Sequence, residues 1–129
     1  RDLVRSRGLG DVYKRQLLNG GEIDGQRYLS KETCQLFTTE ISKISRRGLG
    51  FDKPDADDPK KGNCAPAAPA EVYGHTGFTG TCAWVDPMNE LVYVFLSNRI
   101  YPDVTNRKLN QLHIRERIQG AIYDAMKKK

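Results

Sequence analysis

The sequence has no long apolar run and little aromatic surface, and these absences exclude two classes of protein. Its longest uninterrupted apolar stretch is the six residues 91–96, far short of the roughly 20 that a helix needs to cross a bilayer. Hydrophobic residues make up 38% and aromatic residues 9% of the 129 residues, which is the composition of an ordinary globular domain rather than a fibrous chain. We therefore expect one folded domain without a membrane span.

The sequence also has no internal cluster of positive charge, although its net charge is +5. Residues 1–16 contribute +3 and the three terminal lysines contribute another +3, so residues 17–126 sum to −1. A nucleic-acid-binding surface gathers Lys and Arg on one element, with aromatic side chains among them. The sequence therefore predicts no nucleic-acid partner.

Cysteine is scarce, and its spacing does not fit a metal site. The three cysteines are Cys34, Cys64 and Cys82, an odd number without C-x-x-C spacing, so neither a zinc site nor a complete disulfide framework is predicted. A single disulfide bridge remains open. The acidic residues at 55, 57 and 58 are followed by Lys60 and Pro66 where a calcium loop needs glycine and glutamate. We predict neither a metal nor a cofactor.

Residues 1–16 show neither a helical nor a strand period. Within them, residues 6–16, SRGLGDVYKRQ, resemble the translation of a sequencing-library adapter that ends in a transposon mosaic end. We therefore predict that residues 1–16 are a non-native, adapter-derived segment, with a disordered basic tail as the alternative. Residues 17–129 would then be the C-terminal portion of a longer domain.

The second half of the chain predicts an antiparallel sheet followed by a helix. The β-rich segments 72–76, 81–85 and 90–97 are separated by glycines and by the turn residues 86–89. Because residues 91–96 do not alternate between polar and apolar, both faces of the sheet are expected to be covered. The helix carries an apolar stripe at Ile114, Ile118, Ala121, Ile122 and Ala125.

The first half predicts shorter elements. Leu17 and Leu18 end a helix before Gly20 and Gly21, and Ser30 caps a helix over 31–38. We expect Cys34 and Phe37 to share the inner face of that helix, residues 48–52 to form a strand, and residues 53–71 to form a surface loop.

The densest group of candidate functional residues is the segment 73–81, YGHTGFTGT. Three glycines there interrupt a strand pattern and flank an imidazole and two hydroxyls. Glycine inside a strand marks either close approach of a ligand or a bulge beside a hydrogen-bonded core histidine. From the residues alone, both interpretations stay open.

This segment resembles the third motif of the penicillin-recognising serine hydrolases, which include class C β-lactamases, D-alanyl-D-alanine peptidases and related esterases. That motif is Lys-Thr-Gly or His-Thr-Gly on a strand of the active site, and His75-Thr76-Gly77 matches the histidine form. The resemblance extends over residues 17–126 through the ordered segments LLNGGEIDGQRYLS, GLGFD, YGHTGFTGT, WVDPMNELVYVFLSNR and NRKLNQLHIRERI. It implies an α/β fold, the C-terminal part of a β-lactamase-like α/β/α sandwich with an antiparallel sheet and a C-terminal helix.

The resemblance also implies roles for four residues. His75 and the backbone N–H of Phe78 would be catalytic, the latter in an oxyanion hole. Thr76 and Gly77 would bind substrate, with Gly77 at a point where bulk would block the acyl group. Because a neutral imidazole attracts a carboxylate less than a lysine ammonium does, the resemblance favours an esterase or peptidase over β-lactam turnover, with a small ester, amide or peptide as substrate.

The family's other two motifs are absent from these residues. No serine is followed three positions later by lysine, and no tyrosine or serine is followed two positions later by asparagine. We therefore expect a fragment of a serine hydrolase that is inactive alone, with the missing N-terminal part of the same domain as its partner. The alternative is a non-catalytic binding or structural module of the same fold. The resemblance implies a location in the cell envelope or periplasm.

Overall fold

The computed structural model describes residues 17–42, 44–55, 57–58 and 61–127. The predicted adapter-derived segment 1–16 lies outside the described residues. The regular elements, in chain order, are β1 (Glu22–Ile23), β2 (Gln26–Arg27), α1 (Lys31–Thr38), β3 (Tyr73–Thr76), β4 (Cys82–Asp86), β5 (Leu91–Phe95), α2 (Lys108–Gln111) and α3 (Ile114–Met126).

The three long strands form one antiparallel sheet in the order β3-β4-β5. In its register, Gly74 lies opposite Trp84, and Trp84 lies opposite Tyr93. The turn between β4 and β5 is closed by the Asp86 carboxylate, which accepts hydrogen bonds from the backbone N–H groups of Met88 (2.9 Å) and Asn89 (3.1 Å). The predicted antiparallel sheet and C-terminal helix are confirmed, and the architecture is α/β.

One face of the sheet packs against α3. Trp84 and Tyr93 join Val72, Cys64 and Cys82 in a buried cluster that Ile122 of α3 contacts. Burying side chains of this size contributes about 1.5–3 kcal/mol each. This cluster packs α3 against β4 and β5 of the sheet.

The buried face of α3 differs from the predicted apolar stripe. Its buried residues are Arg115, Glu116, Gln119 and Tyr123, whereas Ile118 is exposed. The reason is hydrogen bonding to distant segments: the Gln119 side chain accepts from the backbone N–H of Ala65 at 2.8 Å. The helix is therefore anchored by polar contacts as well as by apolar packing.

The opposite face of the sheet is covered at one end. Tyr73 and Val85 pack with Leu17 and with Cys34 of α1. At the other end, where His75 lies, the face is exposed.

The predictions for the first helix, α1, are partly confirmed. The Ser30 side chain caps α1 by accepting from the backbone N–H of Thr33 at 3.1 Å, as predicted, and Cys34 is buried. The prediction that Phe37 shares this inner face is wrong, because Phe37 is 43% exposed and lies beside Gly50.

The predicted strand 48–52 is wrong except at its end. The backbone N–H of Gly48 donates to the carbonyl of Phe51 at 3.0 Å, which closes a turn, and only Asp52 pairs with β3, through an isolated bridge to Gly74. The described part of 53–71 has no helix or strand, as expected, but it enters the core at Cys64 and Ala65.

All three cysteines are free thiols and all three are buried, so the bridge left open by the sequence does not form. Within the described ranges, no helix has both the length and the apolar character needed to span a bilayer.

We predict that the hydrogen bond between α3 and the β4–β5 turn is a major contact of the C-terminal helix. The Tyr123 hydroxyl donates to the Asp86 carboxylate at 2.7 Å, and both residues are buried. Tyr123→Phe leaves one carboxylate oxygen short of a donor and is expected to lower the free energy of unfolding by about 2 kcal/mol. Urea denaturation measures this. Tyr101→Phe, at a tyrosine that is 78% exposed, is the control, and an equal loss in both variants would contradict the prediction.

Candidate active site

The His-Thr-Gly triplet lies at the end of β3. Gly74 lets the neighbouring strand approach closely, and Gly80 permits a tight turn after the triplet. A side chain at Gly74 would place its Cβ 2.1 Å from the carbonyl oxygen of Ala83 on the neighbouring strand. After the triplet, the backbone N–H of Gly77 donates to the Thr81 carbonyl at 2.8 Å, and that of Gly80 donates to the Gly77 carbonyl at 3.0 Å. Gly80 has a φ of +93°, which favours glycine. Residues 77–80 therefore form a tight, fixed turn between β3 and β4.

Phe78 sits at the tip of this turn. Its side chain is 72% exposed, and its backbone N–H has no hydrogen-bond acceptor among the residues that the structure describes. The Arg99 guanidinium lies over the Phe78 ring, 4.7 Å from the ring centroid, and the Arg99 backbone N–H donates to the carbonyl of Thr79 at 2.9 Å. The turn therefore presents the unpaired N–H of Phe78, and the two contacts with Arg99 hold the turn in place.

His75 lies on the other face of the strand from Thr76 and is exposed. Its Nδ1 is 2.7 Å from the carbonyl oxygen of Thr76. A carbonyl oxygen only accepts, so Nδ1 donates this hydrogen bond. The contact holds the imidazole against the backbone of its own strand.

A cavity of about 520 Å³ lies beside the turn, within the range of roughly 300–1,000 Å³ that small-ligand sites occupy. Three predicted site residues line it, Thr76, Gly77 and Phe78, whereas His75 is not among the described residues that do. The remaining walls come from the loop at 61–63, from Arg99, from Asn110 of α2, and from the start of α3 with His113, Arg115 and Glu116.

Arg115 and Glu116 are cavity residues that the sequence reasoning missed. Arg115 is 7% exposed and Glu116 is 9% exposed. The Arg115 guanidinium donates to the side-chain oxygen of Asn110 at 3.1 Å and to the Gly80 carbonyl at 3.5 Å. The Tyr93 hydroxyl donates to the Arg115 carbonyl at 3.1 Å, and burial raises the pKa of Tyr93 to about 12. These contacts connect the start of α3 to the turn that carries Phe78.

A second group missed by the sequence reasoning surrounds Asp52, which is 1% exposed. Arg46 donates to both carboxylate oxygens, at 2.8 and 3.1 Å, and the Asn63 amide donates at 2.9 Å. Burial opposes ionisation of Asp52, but the hydrogen bonds from Arg46 and Asn63 outweigh it, so the pKa of this carboxyl lies below its ordinary value. Asn63 lines the cavity, and Asp52 pairs with Gly74. Asp52 therefore links Asn63 of the cavity wall to β3, with its carboxylate bound to Asn63 and its backbone paired with Gly74.

Comparison with known proteins decides the family. The profile of the family described as Beta-lactamase matches residues 5–116, most of the chain. The chain belongs to this family. The predicted membership of the penicillin-recognising, β-lactamase-related family is confirmed.

Curated relatives of this β-lactamase-family chain carry the name "Putative D-alanyl-D-alanine carboxypeptidase". The protein of that name from Escherichia coli O157:H7 is 32% identical over 99 residues, and the one from Escherichia coli strain K12 is 31% identical over 99 residues. A third, from Salmonella typhi, is also 31% identical. Each match covers 77% of this chain and 23% of the relative. The chain therefore spans about a quarter of the length of these relatives.

The cavity is lined by hydrogen-bonding groups. It offers a hydroxyl, an unpaired backbone N–H and positive side chains. No group of three or more His, Cys, Asp and Glu residues within the described ranges is placed to hold a metal ion.

Proposed function

We propose that this chain supplies one wall of an acyl-transfer active site, in a serine hydrolase with esterase or D-alanyl-D-alanine peptidase-like activity. The observation that carries the proposal is the unpaired N–H of Phe78, next to Thr76 and Gly77 on a cavity of ligand size. The names of the curated relatives support the peptidase form of the proposal. The serine nucleophile and its lysine would come from another part of the full-length protein.

The Phe78 N–H has the chemistry of an oxyanion-hole donor. When a serine oxygen adds to an ester or amide carbonyl, the carbonyl oxygen becomes negatively charged, and a fixed donor stabilises that charge without reorganising. One such donor lowers the activation barrier by about 3 kcal/mol. The proton that the serine hydroxyl loses would pass through its lysine base to the leaving alcohol or amine, whose bond to the acyl carbon breaks. Water would then add to the acyl-serine, and its proton would return through the same base to the serine oxygen as the acid is released. The hydrogen-bonded turn 77–80 is what holds the donor still.

Thr76 and His75 lie on opposite faces of β3. The Thr76 side chain is on the cavity side, where its hydroxyl can bond to the acyl chain or to a carboxylate. His75 is not among the described residues that line the cavity, so its role requires a part of the substrate that extends around the end of β3. An imidazole lacks the permanent positive charge of a lysine ammonium, which favours esters and amides.

We expect substitution of His75 to change the catalytic efficiency of the full-length protein without unfolding it. His75→Ala should lower kcat/KM for a nitrophenyl ester roughly five- to tenfold, the effect of one lost hydrogen bond. His75→Lys should shift preference toward substrates with a free carboxylate, because a permanent ammonium charge replaces an imidazole. Steady-state kinetics on both substrate types measure this, with circular dichroism to confirm folding.

The 129-residue chain, assayed beside the full-length protein, is the control for the nucleophile and is expected to show no serine-dependent turnover. Wild-type kcat/KM in folded His75→Ala would reject the role of His75. A folded full-length protein that hydrolyses no ester, amide or peptide would favour the non-catalytic module instead.

A further inference from the structure

Residues 97–99, which follow β5 and which we call the β5 exit, contact the turn that carries Phe78. The Arg99 guanidinium lies over the Phe78 ring, 4.7 Å from the ring centroid. The carbonyl of Thr79 accepts two hydrogen bonds, one from the Arg99 backbone N–H at 2.9 Å and one from the Ser97 hydroxyl at 3.3 Å. The β5 exit therefore contacts two consecutive residues of the turn.

The next residue of the turn, Gly80, packs against the same segment without space for a side chain. A Cβ at Gly80 would lie 2.7 Å from Ser97 Oγ and 2.4 Å from Leu109 Cδ2. The Ser97 side chain therefore touches the backbone of the turn as well as bonding to it. A change at Ser97 reaches the turn directly, through packing and through the hydrogen bond to Thr79.

The hydrogen bonds inside the turn fix its ends but not its tip. The two backbone bonds within the turn are donated by Gly77 and Gly80. Among the described residues, neither Phe78 nor Thr79 makes a hydrogen bond to another residue of the turn. The contacts of the β5 exit fall on these two tip residues.

The direction of the Phe78 N–H decides how well it can stabilise an oxyanion. A preorganised donor acts because it already points at the place where the charge develops, and a displacement of about 1 Å at a reacting group can cost about a hundredfold in rate. The backbones of Phe78 and Thr79 are consecutive, so a rotation of the tip moves both. Contacts that fix the Thr79 carbonyl therefore also fix the Phe78 N–H.

We propose that Ser97 and Arg99 are positioning residues of the active site, which keep the Phe78 N–H directed at the oxyanion. Ser97 acts through the Thr79 carbonyl, and Arg99 acts through the same carbonyl and through the Phe78 ring. Ser97 is not among the described residues that line the cavity, so it acts without touching substrate. The inference rests on the proposed function for its reaction, and it extends the site from the triplet to a hydroxyl 18 residues from Thr79 in sequence.

Ser97→Ala in the full-length protein tests the hydrogen bond to the turn. We expect kcat for a nitrophenyl ester to fall roughly fivefold with KM unchanged, because one hydrogen bond is lost and its benefit is realised only in the transition state. The inhibition constant of a boronic acid should rise by the same factor, since its tetrahedral adduct with the serine places a negative oxygen in the oxyanion hole. A smaller folded fraction would lower kcat but would leave that inhibition constant unchanged.

Ser45→Ala is the matched control. Ser45 is exposed, and its hydroxyl accepts from the nearby backbone N–H of Arg47 at 3.3 Å. We expect this variant to keep the wild-type kcat and inhibition constant. Equal values in Ser97→Ala and Ser45→Ala, or a change in KM alone in Ser97→Ala, would overturn the role of Ser97.

Arg99→Met tests the contact with the ring, because it removes the guanidinium and keeps the backbone N–H. We expect kcat to fall about two- to fivefold, the effect of one exposed cation–π contact. The same substitution should have no further effect in a Phe78→Leu background, which keeps the Phe78 backbone donor position but lacks the ring. Arg99 also lines the cavity, so an equal loss in both backgrounds would mean that it acts on substrate and would reject its positioning role.

Backbone order parameters measured by NMR on the 129-residue chain test the positioning without catalysis. We expect the amides of Phe78 and Thr79 to have the value of a rigid backbone, about 0.85, and to fall toward about 0.6 in Ser97→Ala. Ser45→Ala should change neither amide. Unchanged order parameters in Ser97→Ala would overturn the inference.

The two measurements separate this inference from the proposed function. Turnover by the full-length protein, with kcat and order parameters that Ser97→Ala and Arg99→Met leave unchanged, would reject the positioning roles alone. Order parameters that fall as expected, in a full-length protein that hydrolyses no ester, amide or peptide, would reject the catalytic proposal alone.

Discussion

Gly77→Val is expected to lower kcat/KM of the full-length protein by about a hundredfold or more, the largest effect on activity that the structure predicts. A Cβ at this position would lie 2.3 Å from the Thr81 hydroxyl. Rotation of Thr81 can relieve that contact for alanine, but valine adds two further methyl groups against Thr81, whose Cβ and carbonyl oxygen lie 3.7 and 3.8 Å from the added Cβ, at a position that lines the cavity. The substrate and the Phe78 N–H would then be displaced from each other. Loss of one oxyanion-hole donor costs about a hundred- to a thousandfold in kcat.

Steady-state kinetics with an ester and with a peptide substrate would measure the effect. Gly120→Val is the matched control, because a Cβ there meets only Ala65, at 3.9 Å, and Gly120 is not among the described residues that line this cavity. The expected order of activity is wild type, Gly120→Val, Gly77→Ala and then Gly77→Val. If folded Gly77→Val keeps the kcat/KM of Gly120→Val, the triplet is a structural bend and the site lies elsewhere.

The sheet could be predicted from the sequence because its strands are consecutive and its turn is local. Residues 91–96 are β-branched, aromatic or leucine, and Asp86 closes the preceding turn with neighbours two and three residues away. The three glycines of segment 73–81 also carry a local signal, since each interrupts a strand pattern. Local patterns of this kind are visible without knowledge of the fold.

The polar half of the cavity could not be predicted in this way because its contacts are distant in sequence. Arg115 donates to the Gly80 carbonyl 35 residues away, and the carbonyl of Arg115 accepts from the Tyr93 hydroxyl 22 residues away. Without knowledge of these partners, the spacing of Ile114 and Ile118 predicts the buried face of the helix, and Arg115 and Glu116 are not assigned to it. The helix is therefore predictable from its period, whereas the face that it buries depends on tertiary hydrogen bonds.

Asp52→Asn is expected to lower the free energy of unfolding by about 3 kcal/mol near neutral pH, the largest effect on stability that the structure predicts. The carboxylate is 1% exposed and accepts from Arg46, Asn63 and the backbone N–H of Lys53. An amide cannot accept at both atoms, so it leaves Arg46 with an incomplete ion pair. Because the Arg46 side chain is 31% exposed, water recovers part of the loss, which keeps the effect below that of a fully buried pair.

Urea denaturation of the 129-residue chain would measure the change. Asp57→Asn is the control, since it alters an exposed carboxyl of the same loop and should change stability by less than about 0.5 kcal/mol. Equal stability of the two variants would show that the Asp52 network contributes nothing to the folded state.

The contribution of Asp52 should also depend on pH in a defined direction. In the unfolded chain its pKa is about 3.9, and in the folded chain the pKa is lower, so between the two values the unfolded state binds more protons. Stability therefore rises with pH across that interval. The difference between wild type and Asp52→Asn should be complete above about pH 4, should shrink as the pH falls through the folded pKa, and should be smallest in stronger acid. Denaturation curves of both proteins across this range test the sign, and a difference that grows on acidification would mean that the folded carboxyl binds its proton more tightly than the unfolded one, opposite to what the Arg46 and Asn63 hydrogen bonds require.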